Sequence, residues 1–357
     1  MTHTTIEVQR TTTPRPRPSE SELGFGKFFA DHMLTLEYVA PQGWGEPKVV
    51  PYGPFQIDPA AAVLHYGQAI FDGMKGFRQQ DGRIALFRLD DHSRRLANGA
   101  PRLGIPTLDP AIIRECILAL VATDKDWVPS APATALYVRP VIIATEAFLG
   151  VRPAHRYLFY VITSPVGAYY AGGIKPTKIW VETDSVRAVK GGIGAVKAAA
   201  NYAASLKSGH EAQQRGYDQV LWLDAKEHRY AEEVGTMNLF AVIGDEVITP
   251  PLGGTILAGV TRDSILRILR DWGMRVAERP LALGDLLDAS KNGTLKEVFG
   301  CGTAAVVSAV AELGYTDGRL LINDGAAGPL AEKLYSTITD IQYGRVNDKY
   351  GWLTYVS

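Results

Sequence analysis

A single lysine, Lys197, stands where the glycine-containing segment Gly191–Gly194 gives way to alanine-rich sequence. Its neighbours along the chain are apolar, and an amine with few charges around it loses its hydration easily, which lowers its pKa. The neutral amine is the nucleophile of Schiff-base chemistry. An ordinary exposed lysine at the start of a helix is the alternative interpretation. The glycines lack the spacing of a dinucleotide-binding loop.

Two adjacent carboxylates, Glu232 and Glu233, come just before a glycine and an apolar run that begins near Asn238. A buried carboxylate beside a pyridine nitrogen keeps that nitrogen protonated and makes the ring a better electron sink. A solvated acidic turn is the alternative.

Two further segments offer backbone N–H groups to an anion. Pro251–Gly259 leads directly into the helical pattern that begins near Thr261, and the N-terminus of a helix favours phosphate. Gly300–Ala304 has the sequence of a strand followed by a turn, with a hydroxyl at Thr303. Plain helix capping and a simple tight turn are the respective alternatives.

The strand-like run Leu136–Pro140 places Tyr137 and Arg139 on one face, because alternate residues of a strand point to the same side. A phenol and a guanidinium side by side can grip a carboxylate, although a surface strand with an ion pair has the same pattern. Arg94 and Arg95 lie in a helical pattern, where arginines are typical of a solvated face.

The predicted strands and helices around these residues follow each other irregularly, which favours an α+β protein over a regular βαβ repeat. Alternating, β-branched and aromatic runs predict strands, and apolar residues at helical spacing predict helices. Thr261 is the expected N-cap of its helix and Gly273 the expected stop. The predicted strands span residues 133–143, 157–163, 219–223 and 238–243, with a hairpin turn at 244–245 leading to 247–248; the predicted helices span 109–123, 261–272 and 328–343.

Composition limits the classes of function. The 357 residues are 46% apolar, which is enough for a sizeable core and suggests two domains. With 37 basic and 38 acidic residues the chain has no charge bias towards nucleic acid or membranes. The two cysteines, Cys116 and Cys301, suit a reducing compartment, and the scattered histidines predict no metal site. A cytoplasmic protein is expected.

The Pro- and Arg-rich stretch Thr11–Ser19 predicts a mobile N-terminal tail over residues 1–22, with no apolar segment typical of a secretory signal. Glu7 and the clustered prolines argue against a short mitochondrial transit peptide. A first domain is expected over residues 23–165 and a linker over the glycine-rich segment 166–176. A second domain then covers residues 177–357.

In their residues and in their order along the chain, these motifs resemble the branched-chain amino-acid aminotransferases, which are class IV pyridoxal-phosphate enzymes. The similarity runs from about Phe25 almost to the C-terminus. The resemblance implies fold type IV, with a small α/β N-terminal domain and a larger domain that has a β-barrel-like core. The matching motifs are Phe25–Met33, Leu64–Tyr66, Phe71–Lys75, Leu149–Val151, Pro165–Tyr169, Glu233–Asn238 and Ile256–Val260.

The resemblance assigns pyridoxal 5'-phosphate as the cofactor. By that resemblance Lys197 holds the cofactor and moves the substrate proton, Glu233 rather than Glu232 pairs with the pyridine nitrogen, and Tyr202 hydrogen-bonds the ring oxygen. The remaining cofactor-binding residues implied are Arg95, Thr236, Val260, Thr261 and Thr303.

The resemblance also implies the substrates, which are leucine, isoleucine and valine with 2-oxoglutarate, in a ping-pong reaction. Tyr66 and Val151 are expected to reach in from a partner subunit, so a homodimer is implied. Arg139, with the tyrosine hydroxyls, is expected to meet the side-chain carboxylate of glutamate. The implied substrate-binding residues are Phe29, Tyr66, Phe71, Tyr137, Arg139, Val151, Tyr169 and Ala304.

Two departures from the family pattern carry consequences. Ala305 and Ser308 stand where mammalian members have a Cys-x-x-Cys pair, so no thiol switch is expected. Alanines follow Lys197 where relatives often have glycine, which removes no chemical group. Together with the lack of a clear transit peptide, these favour a bacterial member.

Three alternatives to this function remain open. A D-amino-acid aminotransferase or an aminodeoxychorismate lyase has the same fold, and the Tyr137–Arg139 strand favours the branched-chain enzyme over both. A non-catalytic binding protein is disfavoured by the presence of Lys197, Glu233 and Arg95 together. A nicotinamide oxidoreductase is suggested only by the glycines before Lys197.

Overall fold

A computed structural model describes residues 6–167 and 174–357 of the chain. The strands are β1 (Glu7–Val8), β2 (His32–Val39), β3 (Gly43–Trp44), β4 (Lys48–Pro51), β5 (Ala69–Phe71), β6 (Met74–Arg78), β7 (Ile84–Phe87), β8 (Ala135–Ala144), β9 (Arg156–Val166), β10 (Thr177–Glu182), β11 (Gln219–Leu223), β12 (Ala231–Val234), β13 (Met237–Ile243), β14 (Glu246–Thr249), β15 (Arg275–Glu278), β16 (Leu295–Gly302), β17 (Val306–Tyr315), β18 (Gly318–Leu321) and β19 (Leu353–Val356). The helices are α1 (Ala62–Tyr66), α2 (Leu89–Gly99), α3 (Pro110–Thr123), α4 (Ala199–Gln214), α5 (Val260–Asp271), α6 (Leu283–Lys291) and α7 (Pro329–Gln342).

The contacts within the chain divide it into two compact units. The first unit contains the described residues up to Gly167, together with Lys197–Ala200 and Asp340–Ser357. The second contains the other described residues up to Thr339. This division differs from the predicted one because the C-terminal segment joins the first unit, as does the short stretch that carries the lysine. Residues 168–173 of the predicted linker lie outside the described residues.

The first unit is built on a sheet in the order β1-β4-β2-β9-β8-β6-β7-β19, with β3 beside β2 and β5 beside β8. Strands β5 and β6 pair with β8 in one continuous register, so the connection between them, Asp72–Gly73, runs alongside the middle of that strand. The prediction of a strand over 133–143 is confirmed with a shift of one or two residues. Helix α3 begins where predicted, since Asp109 accepts a hydrogen bond from the Ala111 N–H and Pro110 fills the first helical position.

The second unit contains a closed ring of strands. Strands β12, β11, β10, β17, β16 and β13 are neighbours in that order, and β12 also pairs with β13, which closes the ring. All six strands contribute to one apolar cluster, as shown by Ile179, Leu221, Val234, Leu239, Val298 and Val310. Burial of each such side chain contributes about 1.5–3 kcal/mol. The predictions of an α+β protein and of a barrel-like core are confirmed.

Helix α5 begins earlier than predicted. Its N-cap is Gly259, and no side chain caps it, so the prediction of Thr261 as the N-cap is wrong. Glycine occupies that position because a Cβ at residue 259 would overlap the amide oxygen of Asn238. The expected stop at Gly273 is confirmed, since its φ is +69° and helix α5 ends just before it.

Residues 6–22 of the N-terminal segment, for which a mobile tail is predicted, lie along the first unit. Strand β1 pairs in parallel with β4, the Thr11 N–H donates to His32 Nε2 at 2.9 Å, and the Arg15 N–H donates to Asp31 at 2.8 Å. Clustered prolines and arginines exclude a helix there, but an extended backbone still pairs with a sheet edge.

Two features are absent from the described residues. No helix among them is long and apolar enough to cross a membrane. The same residues contain no group of three or more His, Cys, Asp or Glu side chains arranged to hold a metal ion.

Candidate active site

The lysine is held against the first unit by its backbone. The Phe71 N–H donates to the carbonyl oxygen of Lys197 at 3.1 Å, and Ala198 forms an isolated bridge with Ile70. Lys197 Nζ lies 5.0 Å from the centroid of the Phe71 ring. The chain thus enters helix α4 only two residues after the lysine, and the amine sits beside an aromatic face, where a cation is stabilised.

One face of the first unit's sheet carries several predicted substrate residues. Tyr137 and Arg139 alternate along β8, and Arg139 Nη2 donates to the Tyr137 hydroxyl at 3.0 Å, which confirms the predicted pairing. The Arg139 guanidinium also lies 4.7 Å from the Phe71 ring centroid. Its Nε is buried without a hydrogen-bond partner among the described residues. Leaving such a donor unpaired is costly, so this face is suited to an incoming carboxylate.

Lys75 is a cation on the same face that the sequence analysis did not identify. It lies opposite Tyr137 in the register of β6 and β8, and directly opposite residues of paired strands share a face. Burial lowers the pKa of Lys75 to about 8.

Arg95, on helix α2, is bound to a buried carboxylate. Its Nε and Nη2 donate to the two oxygens of Asp72 at 2.8 and 2.7 Å, and His92 Nδ1 lies 2.8 Å from the same carboxylate. Arg95 is therefore not on a solvated face: its side chain is 14% exposed. Gly73 follows Asp72, and a Cβ there would overlap the Tyr137 hydroxyl.

In the second unit, Glu233 is a buried carboxylate near the end of β12. Its Oε1 accepts a hydrogen bond from the Leu257 N–H at 2.9 Å, and its Oε2 lies 3.2 Å from Nε of Arg187. Arg187 donates in turn to the carbonyls of Gly194 and Thr255. The carboxylate is thus fixed from two sides.

The neighbouring Glu232 has a different environment. It accepts a hydrogen bond from the Thr255 hydroxyl at 2.5 Å, while its Oε2 is buried with no partner among the described residues. Burial raises the pKa of Glu232. The two adjacent carboxylates therefore differ in charge stabilisation, which agrees with the choice of Glu233 as the ring-binding residue.

Three loops of the second unit converge near Glu233. Asn238 on β13 donates to the Leu257 carbonyl at 2.9 Å and pairs with Cys301 on β16. These contacts bring together the predicted residues of the β12–β13 turn, the start of helix α5 and the β16–β17 turn. Those residues are Thr236, Val260, Thr261, Thr303 and Ala304.

The remaining predicted residues are distributed as follows. Tyr202 lies half-buried in the first turn of α4. Phe29 stacks on Tyr52 with ring centroids 5.3 Å apart. Tyr169 lies outside the described residues.

Tyr66 and Val151 belong to an exposed apolar surface of the first unit. The Tyr66 hydroxyl donates to the Leu149 carbonyl, which joins the end of α1 to the loop after β8. Val151 is 86% exposed. The surface is formed by Leu64, Tyr66, Phe148, Leu149 and Val151.

Sequence reasoning missed Asp72, His92 and Arg187, which support the predicted residues rather than carry a motif of their own. Asp72 stood inside the Phe71–Lys75 motif and His92 three positions before Arg95, so a signal existed for both. Arg187 had none, because it lies 46 residues before Glu233 and only the fold brings the two together.

Comparisons with known proteins show the family to which the chain belongs. A family model described as "Amino-transferase class IV" matches residues 69–313. Branched-chain-amino-acid aminotransferase 2 of Bacillus subtilis (strain 168) is 50% identical over 357 residues, which covers 100% of this chain and 98% of the relative. Branched-chain-amino-acid transaminase 1 of the same strain is 47% identical over 97% of this chain and 98% of the relative.

Solved structures give the same result. A branched-chain amino acid aminotransferase from T.th., solved with pyridoxamine 5'-phosphate, has a TM-score of 0.75 and 28% identity, covering 90% of this chain and 98% of that one. The Escherichia coli enzyme has a TM-score of 0.74 and 26% identity, covering 92% and 99%. The chain therefore belongs to the class IV aminotransferases, and within them to the branched-chain amino-acid aminotransferases.

Proposed function

We propose that this chain carries out its transamination of branched-chain amino acids with pyridoxal 5'-phosphate bound to Lys197. L-Leucine, L-isoleucine and L-valine give up their amino group, 2-oxoglutarate accepts it as L-glutamate, and the two half-reactions follow a ping-pong order. The observation that carries the proposal is the placement of Lys197: its backbone is fixed by Phe71, its amine lies on the Phe71 ring, and Arg139 lies over the same ring.

The residues present fit the chemistry of this cofactor. Lys197 supplies an amine for its carbonyl carbon, Arg95 a guanidinium for its phosphate, and Glu233 a buried carboxylate for its pyridine nitrogen. A structural relative was solved with pyridoxamine 5'-phosphate. When bound, pyridoxal phosphate supplies an electron sink that stabilises negative charge at the substrate's Cα.

Glu233 serves as a fixed anion. Arg187 and the Leu257 N–H hold the two oxygens of this carboxylate in place, so it would meet the protonated ring nitrogen of the cofactor without rearrangement. Lys197 Nζ would hold the cofactor and would accept the proton that leaves the substrate's Cα. Tyr202 would donate to the ring oxygen, and Thr236, Val260, Thr261 and Thr303 would complete the cofactor's contacts.

Substrate recognition uses the face that carries Phe71, Tyr137 and Arg139. Aromatic side chains, Phe29 and Tyr169 among them, accept the branched apolar side chain, and the backbone at Thr303–Ala304 holds the α-carboxylate. The buried Nε of Arg139 meets the distal carboxylate of 2-oxoglutarate when this second substrate binds, since an unpaired carboxylate in such a pocket is costly.

The working form is a homodimer in the cytoplasm. Helix α1 and the loop after β8 expose five large apolar side chains around Val151, and exposed apolar side chains that occur together are typical of an interface between subunits. Val151→Asp, which puts a charge on this surface, is expected to yield a monomer with little activity by light scattering and assay, whereas Val346→Asp, at another exposed valine, is expected to leave the dimer intact. A fully active monomeric Val151→Asp variant would contradict the dimer.

The two buried free cysteines suit a reducing compartment.

Borohydride reduction of the purified protein followed by peptide mapping tests the central assignment. The reduced cofactor is expected on Lys197, and Lys197→Ala is expected to lose it together with L-leucine turnover. Lys190→Ala, which removes an exposed lysine of the same segment, is the matched control and should retain both. Label on another lysine, or turnover of D-alanine in place of L-leucine, would refute the proposal.

A further inference from the structure

Asp72 has no exposed surface, and both of its carboxylate oxygens accept hydrogen bonds. Arg95 donates from Nε to Oδ2 and from Nη2 to Oδ1. His92 Nδ1 lies 2.8 Å from Oδ1, and the Gly73 N–H donates to the same oxygen at 2.7 Å. The chain thus surrounds this carboxylate with donors, so its position is fixed.

The charges of the cluster are consistent with an ionised Asp72. Burial alone would raise the pKa of Asp72, but the charges of Arg95 and His92 and their hydrogen bonds hold it well below its usual range. Burial lowers the pKa of His92, and Arg95 and Lys197 act in the same direction, against the opposing effect of Asp72. Because an ionised carboxylate only accepts hydrogen bonds, His92 donates to Asp72 from Nδ1.

The geometry of the contact orients the guanidinium. Asp72 occupies the edge formed by Nε and Nη2, so the plane of Arg95 is fixed and its Nη1 end points away from the carboxylate. A bidentate contact of this kind adds direction as well as energy.

The same short segment also fixes the lysine. The Asp72 N–H donates to the Pro140 carbonyl at 2.9 Å, and the preceding residue, Phe71, donates its N–H to the Lys197 carbonyl at 3.1 Å. Two successive residues therefore hold the two groups: Phe71, at the end of β5, holds the Lys197 backbone, and Asp72 holds the Arg95 side chain.

We infer that Asp72, supported by His92, is a positioning residue that sets the orientation of Arg95 relative to Lys197, so that Arg95 selects the phosphate of a cofactor bound to that lysine. The inference rests on the proposed function. Asp72 acts through Arg95 and touches no reacting atom.

Asp72 affects binding of the phosphate in two opposite ways. A negative carboxylate next to a phosphate site repels the phosphate, whereas a guanidinium that is already oriented avoids loss of side-chain freedom on binding. Freezing a free arginine costs about 30-fold in affinity. The repulsion is offset by Arg95 itself, with which Asp72 is paired. Orientation is therefore expected to dominate.

The experiment compares binding of pyridoxal phosphate with that of pyridoxal, which lacks the phosphate, to the apoprotein. The readout is the ratio of the two dissociation constants, followed by absorbance and fixed by borohydride. Asp72→Asn keeps the shape of the side chain but places an NH₂ group against an arginine donor. It is expected to lower the preference for the phosphate about 10–30-fold while pyridoxal affinity stays within about threefold.

Asp124→Asn is the matched control. Asp124 forms the other buried carboxylate–histidine pair described in this unit, with Oδ1 2.6 Å from His32 Nδ1, and it does not contact Arg95. The preference for the phosphate should be unchanged in this variant even where its stability falls.

A double-mutant cycle with Arg95→Gln separates positioning from a merely structural role. If Asp72 acts through Arg95, Asp72→Asn has no further effect on the preference in the Arg95→Gln background. Asp72→Glu, which restores the charge one methylene further out, should recover part of the preference. Should Asp72→Asn fail to fold, His92→Ala is the test and is expected to lower the preference about threefold.

Four results would overturn the inference, and a fifth would refute the proposed function instead. An equal loss of affinity for both ligands, an unchanged ratio, a tighter binding of pyridoxal phosphate by Asp72→Asn, or an effect that persists without Arg95 would overturn the inference. In that case the wild-type chain still forms its adduct on Lys197. Absence of an adduct in the wild type would instead refute the proposed function.

Discussion

Each unit of the molecule contains a buried carboxylate paired with an arginine, and we propose opposite roles for the two pairs. In the first unit, Asp72 binds Arg95 through both oxygens at 2.7–2.8 Å. In the second, Glu233 meets Arg187 through one oxygen at 3.2 Å and takes its other contact from the Leu257 N–H. We assign the cofactor contact to the arginine in the first pair and to the carboxylate in the second.

What distinguishes the two pairs is how the supporting partner is fixed. The Asp72 carboxylate also accepts hydrogen bonds from His92 and from the Gly73 N–H. Its position is therefore fixed, and it orients Arg95. Arg187 is tied to two backbone carbonyls, so it holds Glu233. Residue types alone do not assign a role to a buried ion pair, whereas the remaining hydrogen bonds of each partner do.

The strongest test of the comparison removes the charge of Glu233. Glu233→Gln is expected to lower kcat about 10²–10³-fold, because the ring nitrogen is no longer held protonated and the ring becomes a weaker electron sink, while the preference for phosphorylated cofactor stays unchanged. Steady-state kinetics with L-leucine and cofactor titration measure the two effects. Glu232→Gln is the matched control and should change kcat less than about threefold, since the side chain of Glu232 accepts its hydrogen bond from the Thr255 hydroxyl. An equal effect of both variants would refute the assignment.

Arg187→Gln tests the support in the second unit. Loss of one charged contact is expected to lower kcat about tenfold and to leave cofactor preference intact, the reverse of the pattern expected for Asp72→Asn. If Arg187→Gln instead altered the preference and spared kcat, the proposed inversion of roles would be wrong.

A smaller effect is expected in the pH dependence of stability. The pKa of Asp72 is lowered in the fold by Arg95 and His92 against the effect of burial, so its contribution is present above the unfolded pKa of about 3.9 and is lost as pH falls through the folded value. Burial raises the pKa of Asp124, so its contribution is lost as pH rises through the folded value.

Urea unfolding between about pH 3 and pH 7 measures this difference. The free energy of unfolding of the wild type relative to Asp72→Asn should rise with pH by about 1 kcal/mol or more, and relative to Asp124→Asn it should fall. Slopes of the same sign in both variants would show that the arginine does not distinguish the two carboxylates.

The smallest effect concerns Lys75, a cation of the first unit that is perturbed by burial. Its pKa is lowered to about 8, so the folded state disfavours the charged form and stability is lost as pH falls from the unfolded value of about 10.4 to the folded one. Lys75→Met is expected to raise the free energy of unfolding by about 1 kcal/mol below pH 8, with the gain fading above it. An unchanged gain at pH 10 would mean that packing, not charge, is responsible.

Much of the local structure could be predicted from the sequence. Strand β11 spans the predicted residues, α3 starts within one residue of its predicted beginning, and Tyr137 and Arg139 share a face as alternation requires. These features depend on neighbours a few positions apart. The start of α5 could not be predicted, because Gly259 is required by its contact with Asn238, 21 residues earlier.

The sequence was enough to name the residues to which we assign the chemistry, namely Lys197, Glu233, Arg95 and the Tyr137–Arg139 pair. Strand alternation placed the last two on one face, and the resemblance to a known family assigned the roles of Glu233 and Arg95. How these residues are held became visible in the folded chain alone. The β12–β13 pairing that closes the ring, the contact of Arg187 with Glu233 and the burial of Asp72 between Arg95 and His92 join distant parts of the chain. The charge state of a buried group follows from its desolvation and its partners in space, and sequence spacing contains neither.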